Sequence, residues 1–303
     1  MNKLVWILVI GFLAIDSIVA IVFVVPPDYL AVMAARVSLP SECSLAELVR
    51  ENRSTKAARA AASKPTLERT EAGLDLWNTS QGKTWTVHGD TSLEFLINEQ
   101  QRDIYEPRGH EIRKGDIVLD CGANIGMFTR TALARGASLV IAIEPAPRTL
   151  DALRRNLESE IREGRVVVYP KGAWDHDSEM ELSVNDALQI NDTLVLPRES
   201  ANPKVRVPLT TIDKIVAELK LTRVDFINMD IEGAEKPAIR GAENTIRQFR
   251  PRMSLSSEHL DDDFTAIPAL IHSIEPNYTH RGCDCDARKN RFKASVLAFD
   301  PVS

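Results

Sequence analysis

The spacing of apolar residues changes within residues 116–129, and this change predicts a strand, a tight turn and a helix. Ile117, Val118 and Leu119 form a short apolar run, which is typical of a buried strand. Beyond the turn, apolar residues recur three to four positions apart, as on one face of a helix. Such a turn brings bare backbone at a helix N-terminus within reach of a ligand. The small and turn-forming residues between strand and helix are Gly122, Ala123, Asn124 and Gly126.

A second apolar run, residues 138–143, ends at Glu144 and Pro145. In a doubly wound sheet, a carboxylate about twenty residues after a glycine-rich turn accepts hydrogen bonds from ribose hydroxyls. A dinucleotide-binding turn requires glycines at two places that Asn124 and Met127 occupy here. The spacing therefore predicts a nucleoside-binding site and argues against NAD.

The remaining pattern predicts an α/β domain over residues 108–303, with a mostly parallel sheet and helices on both faces. Two alternating segments, 180–184 and 204–209, predict an antiparallel insertion, and the last two strands predict an antiparallel C-terminal hairpin. Further strands are predicted at 165–169, 224–229, 251–257, 277–280 and 294–299, and helices at 148–161, 234–247 and 264–274.

Charged residues follow two predicted strands at the carboxyl edge of the sheet. Asp230 ends the strand at 224–229, while Glu258 and His259 end the strand at 251–257. Open α/β sheets bind their ligands at this edge. We therefore assign these three residues to catalysis, with His259 as a candidate general base. A hydrogen-bonded structural role for His259 is the alternative.

The chain begins with an apolar segment, residues 4–25, that predicts a transmembrane helix. About 22 apolar residues suffice to cross a bilayer, and the cost of Asp16 at about 3 kcal/mol is outweighed by the Leu, Ile, Val and Phe residues around it. A cleaved signal peptide is the alternative. Residues 26–65 are predicted to be a juxtamembrane helical connector, whose basic residues either rest on lipid headgroups or are simply solvated.

Residues 66–107 are predicted to be a cap that precedes the sheet. The pattern indicates one short strand at 84–87 and a helix at 91–102, capped by Thr91 or Ser92. The residues expected to face inward are Leu93, Phe95, Leu96 and Ile97. Tyr105 follows the helix, and the pattern leaves open whether it lines a pocket or packs at a domain edge.

Composition excludes several classes of protein. The 303 residues carry a net charge of −6 without a basic stripe, so nucleic acid is not expected as a partner. The four cysteines do not form a disulfide framework, which favours a reducing compartment. His280, Cys283 and Cys285 lack the spacing and the fourth ligand of a structural zinc site, so no metal is predicted.

Three motifs in this order resemble those of the FkbM-type methyltransferases: residues 120–126 (DCGANIG), 143–147 (IEPAP) and 225–235 (DFINMDIEGAE). The resemblance covers residues 90–300. It implies a class I, Rossmann-like methyltransferase fold with S-adenosylmethionine as cofactor. It also implies O-methylation of a hydroxyl on a sugar, lipid, polyketide or other small molecule.

The resemblance assigns roles along the carboxyl edge. The turn is expected to hold the methionine end of the cofactor, Glu144 the ribose, and the segment after the third strand the adenine. For Trp174, packing in the core is an equal alternative to an adenine contact. The cofactor-binding residues are expected to be Asp120, Gly122, Ala123, Asn124, Gly126, Phe128, Glu144, Pro145, Ala173, Trp174 and Asp230.

Two other functions stay open at this point. The fold can persist in a catalytically silent, membrane-tethered binding module, and an NAD(P)-linked oxidoreductase shares the architecture. Because S-adenosylmethionine is a cytosolic metabolite, a working enzyme is expected to have its N-terminus outside and residues 26–303 in the cytosol. Basic residues between 50 and 59 favour the same orientation.

Overall fold

The structure is a computed structural model that describes residues 48–50, 53–57, 64–184, 192–196, 203–288 and 291–302, with only the backbone for 283–288 and 291–293. The predicted membrane span at 4–25 lies outside this range. Within the described part of the chain, no helix is long and apolar enough to cross a membrane. Residues 48–50 and 53–57 are helical, in the segment predicted to be a helical connector.

A seven-stranded sheet forms the centre of the domain, in the order β12-β13-β11-β10-β4-β5-β6. Strands β11, β10, β4, β5 and β6 are parallel, and β12 and β13 form an antiparallel hairpin at one edge. The predicted mostly parallel sheet with a C-terminal antiparallel hairpin is therefore confirmed. Its strands are β4 (Ile117–Cys121), β5 (Leu139–Ile143), β6 (Val166–Tyr169), β10 (Phe226–Met229), β11 (Arg252–Ser256), β12 (Tyr278–Arg288) and β13 (Arg291–Pro301).

Two three-stranded sheets flank this centre. One is an antiparallel meander made of β1 (Thr66–Glu71), β2 (Leu74–Thr79) and β3 (Gly82–Val87). The other has the order β7-β9-β8 and consists of β7 (Gly172–Ala173), β8 (Ser178–Ser183) and β9 (Lys204–Thr210). The predicted antiparallel insertion is confirmed in the pairing of β8 with β9, while β7 joins β9 in parallel.

The helices cover both faces of the central sheet, because alternate residues of each strand point to opposite faces. Val118 belongs to one apolar cluster and its neighbour Leu119 to the other. Helices α2 and α3 contribute residues to the cluster that contains Val118, and α5 to α8 contribute residues to the cluster that contains Leu119. The helices are α1 (Leu93–Gln101), α2 (Met127–Arg135), α3 (Pro147–Asn156), α4 (Glu158–Arg162), α5 (Ile212–Glu218), α6 (Glu235–Arg240), α7 (Glu243–Phe249) and α8 (Asp263–Ile274).

The cap differs from its prediction in its strands. It contains three strands instead of one. Of the two that were not predicted, β1 is exposed along its length and carries no apolar alternation. Hairpin geometry defines it instead: Ala72 and Gly73, between β1 and β2, both have positive φ angles, 52° and 75°. Such angles are those of the tight turns that match strand twist.

The helix of the cap also differs in two details. Phe95 was predicted to face inward and is 48% exposed, because the buried positions of α1 are Leu93, Leu96 and Ile97. Ser92 occupies the N-cap position, as predicted, but its side chain makes no capping hydrogen bond, and its hydroxyl donates to Asp90 Oδ2 at 2.8 Å. The buried residues of this helix pack on Ile125 and Met127, so the cap contacts the glycine-rich turn.

Candidate active site

Residues 122–126, called the glycine turn below, join β4 to α2 in a conformation that few residues adopt. Gly122, Asn124 and Gly126 have φ angles of 84°, 49° and 90°. A Cβ atom at Gly122 would lie 1.9 Å from the backbone oxygen of Asp230. Glycine is therefore required here because the ends of β4 and β10 touch.

Asp120 lies beneath the glycine turn and is completely buried. Its Oδ2 accepts a hydrogen bond from the Thr129 hydroxyl at 2.6 Å, and its Oδ1 accepts one from Asn228 Nδ2 at 3.1 Å. Burial raises the pKa of this carboxyl to about 6, against the opposing effect of these hydrogen bonds. Asp120 thus anchors the turn to α2 and β10 from below.

The side chain of Glu144, in the second motif, is hydrogen-bonded to the backbone of the glycine turn in the first motif. Its Oε2 accepts the Asn124 N–H at 2.9 Å, and its Oε1 accepts the Ala146 N–H at 2.8 Å. The parallel pairing of β4 with β5, in which Cys121 lies opposite Ile143, produces this contact. Burial raises the pKa of Glu144 to about 7, which the two backbone hydrogen bonds only partly offset.

A cavity of about 270 Å³ opens between the glycine turn, α1 and the carboxyl ends of β10 and β11. We call it the edge cavity. Six of the predicted site residues line it: Gly122, Ala123, Asn124, Phe128, Asp230 and Glu258. The other lining residues are Phe95, Leu96, Glu99, Gln100, Tyr105, Met127, Asn228 and Glu232.

His259 lies behind the wall of the edge cavity, among three carboxylates. Its Nε2 is 3.5 Å from Asp230 Oδ1 and 3.3 Å from Glu232 Oε1, and its Nδ1 is 3.0 Å from Glu235 Oε1. Burial lowers its pKa, but the hydrogen bonds and charges of these carboxylates outweigh burial and raise the pKa well above the usual value. The carboxylates therefore favour the protonated form of the ring, which does not suit a general base.

The sequence predicted no metal site, but the structure brings potential metal ligands together. Ligand atoms of Asp230, Glu232 and His259 all lie within 4.8 Å of one another. Glu232 was missed because its position could equally complement the helix that follows. Its φ angle of 53° is unusual for a glutamate and turns the chain at the end of β10.

Tyr105 lines the edge cavity. The sequence left open whether this residue lines a pocket or packs at a domain edge. Its hydroxyl donates to Asp230 Oδ2 at 2.6 Å, and its ring packs edge-to-face on Phe128 at 5.6 Å between centroids. Burial and the charge of Asp230 raise the pKa of Tyr105, so it stays protonated and serves as a donor. It holds one oxygen of Asp230 in place.

Asn228 was also missed by the sequence interpretation. It is buried in the strand β10, donates to Asp120 and lines the edge cavity. Its Oδ1 has no hydrogen-bond partner among the described residues. The only signal in the sequence was a polar residue inside an otherwise apolar strand.

Ala173 and Trp174 do not line the edge cavity. Ala173 is buried in β7, and Trp174 packs beside Leu182 and Leu209 in the core of the small β7-β9-β8 sheet. The backbone oxygen of Trp174 would lie 1.9 Å from a Cβ at Gly241. For Trp174 the alternative of a core residue therefore agrees with the structure. Asp120, Gly126, Glu144 and Pro145 also lie outside the lining of the edge cavity.

The fold and the edge cavity define a doubly wound α/β domain that carries its polar residues at the carboxyl edge, as ligand-binding domains do. The family model for the methyltransferase FkbM domain matches residues 120–283, more than half of the chain. The chain belongs to this family of methyltransferases and is an S-adenosylmethionine-dependent enzyme.

Three curated relatives are similar to this chain. Methyltransferase 1 of Beauveria bassiana is 27% identical over 62% of this chain and 84% of its own length. The 31-O-demethyl-FK506 methyltransferase FkbM of Streptomyces tacrolimicus is 26% identical over 50% and 69%, respectively. The 2-O-methyltransferase NoeI of Sinorhizobium fredii is 27% identical over 44% and 60%.

Proposed function

We propose that this enzyme transfers the methyl group of S-adenosylmethionine to a hydroxyl oxygen of a sugar, lipid or other small molecule in the edge cavity. The observation that carries the proposal is the position of Asp230 in that cavity. Its carboxylate, fixed by Tyr105, lies at the same carboxyl edge as the glycine turn. Two of the similar proteins are named for methylation at oxygen.

The donor side of the proposal rests on the glycine turn and Glu144. The turn lines the edge cavity with Gly122, Ala123 and Asn124, at the N-terminus of α2. Glu144 contributes two carboxylate oxygens, each of which keeps a lone pair beyond its backbone hydrogen bond. These groups suit the carboxylate of the methionine part and the ribose hydroxyls.

Little covalent chemistry is required of the protein itself. The sulfonium of the bound donor supplies an activated methyl group. The chain holds the acceptor oxygen in line with the methyl carbon and excludes water, with Phe128 and Met127 as apolar wall. The oxygen–carbon bond forms as the carbon–sulfur bond breaks, and the proton of the hydroxyl passes to a cavity carboxylate, Asp230 in the simplest case.

The affinity for S-adenosylmethionine is expected to rise about five- to tenfold between pH 6 and pH 8. The reason is Glu144, whose pKa is about 7 in the free protein. Ribose hydroxyls donate to its ionised form, so binding strengthens as the pH rises through that pKa. Calorimetric titration of the full chain at several pH values measures the effect.

Glu144→Gln is expected to weaken binding and to abolish this pH dependence. Glu158→Gln changes a carboxylate that is 75% exposed on α4 and serves as the matched control, which keeps the dependence of the natural protein. A pH-independent affinity in the natural protein would show that Glu144 does not receive the ribose.

The acceptor side combines carboxylates with an apolar rim. Phe95 is exposed at the cavity and Leu96 lies beside it, so the cavity offers apolar contact next to Asp230. The lining combines these apolar side chains with carboxylates and amides, so it suits an alcohol on a polar or amphipathic body, a class that includes sugars and lipids.

The test is incubation of the full chain in detergent with methyl-labelled donor and a panel of sugar, lipid-linked and polyketide alcohols. Label in an ether of one of these alcohols supports the proposal. Binding of the donor without transfer to any hydroxyl would favour the silent binding module. Binding of NAD in place of the donor would favour an oxidoreductase.

We also propose that residues 4–25 anchor the enzyme in a membrane with the catalytic domain in the cytosol. The support is the apolar length of this segment and the cytosolic origin of the donor. A reporter fused to the C-terminus, fluorescent only in the cytosol, is expected to give a signal in intact cells. A second reporter at the C-terminus, active only after export, detects the opposite orientation. Activity of this reporter would refute the proposed cytosolic position of the catalytic domain.

A further inference from the structure

We propose that Asp230, Glu232 and His259 form a binding site for one divalent cation at the wall of the edge cavity. The proposed ligand atoms are Asp230 Oδ1, Glu232 Oε1 and His259 Nε2. Nε2 lies 3.5 Å from the first oxygen and 3.3 Å from the second. An octahedral cation with ligands at about 2.1 Å requires neighbouring ligands about 3 Å apart, so binding would draw the three atoms together from separations of 4.8 Å or less.

The orientation of the imidazole supports a role as ligand. Glu235 is completely buried, and its Oε1 accepts the backbone N–H of Ile231 and the Nδ1–H of His259, each at 3.0 Å. This pairing keeps a hydrogen on Nδ1. A cation that displaces the proton from Nε2 would then meet the electron pair of that atom, which points toward Asp230 and Glu232. A buried carboxylate behind a histidine is the usual support of a metal-binding imidazole.

A second, independent observation comes from Asn228. This residue is only 2% exposed and lines the same cavity as Asp230 and Glu232. Its Oδ1 has no hydrogen-bond partner among the described residues. A buried carbonyl oxygen normally receives a hydrogen bond. Water molecules bound to a cation are strong donors, so this oxygen suits a hydrated cation next to the three ligands.

The ligand set indicates the kind of cation. Two carboxylate oxygens favour a hard cation, and one imidazole favours a transition metal, which makes Mn²⁺ the best single probe. Three protein ligands leave three positions of an octahedron for water and one substrate oxygen. Tyr105 holds Oδ2 of Asp230, so Oδ1 is the oxygen presented to the cation.

The consequence for catalysis rests on the proposed O-methylation. A cation held by these residues would bind the acceptor hydroxyl, which would lower the pKa of the hydroxyl and also hold its oxygen in position for the methyl group. Asp230 is then a ligand, and the proton passes to Glu258, another carboxylate of the edge cavity. The methyl carbon gains its bond to oxygen and loses its bond to sulfur. The positive sulfonium becomes a neutral thioether, and the proton of the hydroxyl neutralises the carboxylate of Glu258.

The experiment measures Mn²⁺ binding to the full chain by electron paramagnetic resonance, without donor or acceptor. We expect one bound equivalent, and affinities at least about tenfold weaker in Glu232→Gln and His259→Gln. Glu99→Gln is the matched control, because it removes a carboxylate from the same cavity but not from the ligand set. Its affinity is expected to change less than about twofold, the range of a surface charge effect.

Two results of the binding experiment would overturn the proposal. One is the absence of a stoichiometric Mn²⁺ site. The other is an equal loss in Glu99→Gln and the ligand variants, which would indicate general attraction to negative charge. Circular dichroism of each variant excludes unfolding as the cause. Methyl transfer that persists in a chelator would contradict the catalytic cation site and leave the proposed function intact. Mn²⁺ binding without methyl transfer to any hydroxyl would support the cation site and contradict the proposed function.

Discussion

Gly122→Ala is expected to lower the free energy of unfolding by about 3–5 kcal/mol, the largest effect of any substitution that we predict. Two costs add together. The φ angle of 84° strains any residue with a Cβ, and that Cβ would overlap the backbone oxygen of Asp230 at 1.9 Å. Backbone on both sides must move, so β4 and β10 separate at the candidate active site.

Gly164→Ala is the matched control for this prediction. Gly164 has a similar φ angle of 72°, but nothing lies within 4 Å of the added Cβ. Only the strain of the left-handed conformation, about 1–2 kcal/mol, is expected there. Urea unfolding followed by circular dichroism measures both variants. If both variants lowered the free energy of unfolding equally, the contact between β4 and β10 would contribute nothing to the effect at Gly122.

Asp230→Asn is expected to slow methyl transfer by about 100-fold or more while the affinity for S-adenosylmethionine stays nearly unchanged. The carboxylate lies in the edge cavity, where it serves either as the proton acceptor or as a ligand of the proposed cation. The amide is of similar size and still accepts the hydrogen bond from Tyr105. The loss is therefore chemical and not a collapse of the cavity.

Single-turnover rates and donor affinities of the full chain test this prediction. Asp151→Asn, at a carboxylate that is 70% exposed on α3, is the control and is expected to keep both values within about twofold. A rate for Asp230→Asn close to that of the natural protein would leave positioning as the whole of the catalytic effect and would remove Asp230 from the mechanism.

The sequence predicted the central elements well, because their signals are local. The apolar run of β4, the glycine turn and α2 follow one another without interruption, and the run of β5 ends directly at Glu144. Periodicity of two or of 3.6 residues decides such elements. The cap was predicted poorly, since β1 is exposed along its length and only its pairing with β2 makes it a strand.

The candidate site shows the same division. Asp230 and His259 were recognised because each follows a strand at the ligand edge of the sheet. Their protonation and partners were not, since these depend on Glu232 and Glu235, whose spacing equally suits the first turn of a helix. The proposal of His259 as a base came from its residue type and its position at a strand end, and neither shows the three surrounding carboxylates that raise the pKa of its ring.

What the sequence by itself determined is the order of strands, turn and helices, the family, and the two carboxylates that end β5 and β10, because each depends on residues close together in the chain. Only the tertiary structure decided which residues share the edge cavity. Tyr105 and Asp230 are 125 positions apart, and their hydrogen bond exists because the cap folds over the end of β10. The need for glycine at position 122 likewise arises from a neighbouring strand, whose backbone no local pattern can place.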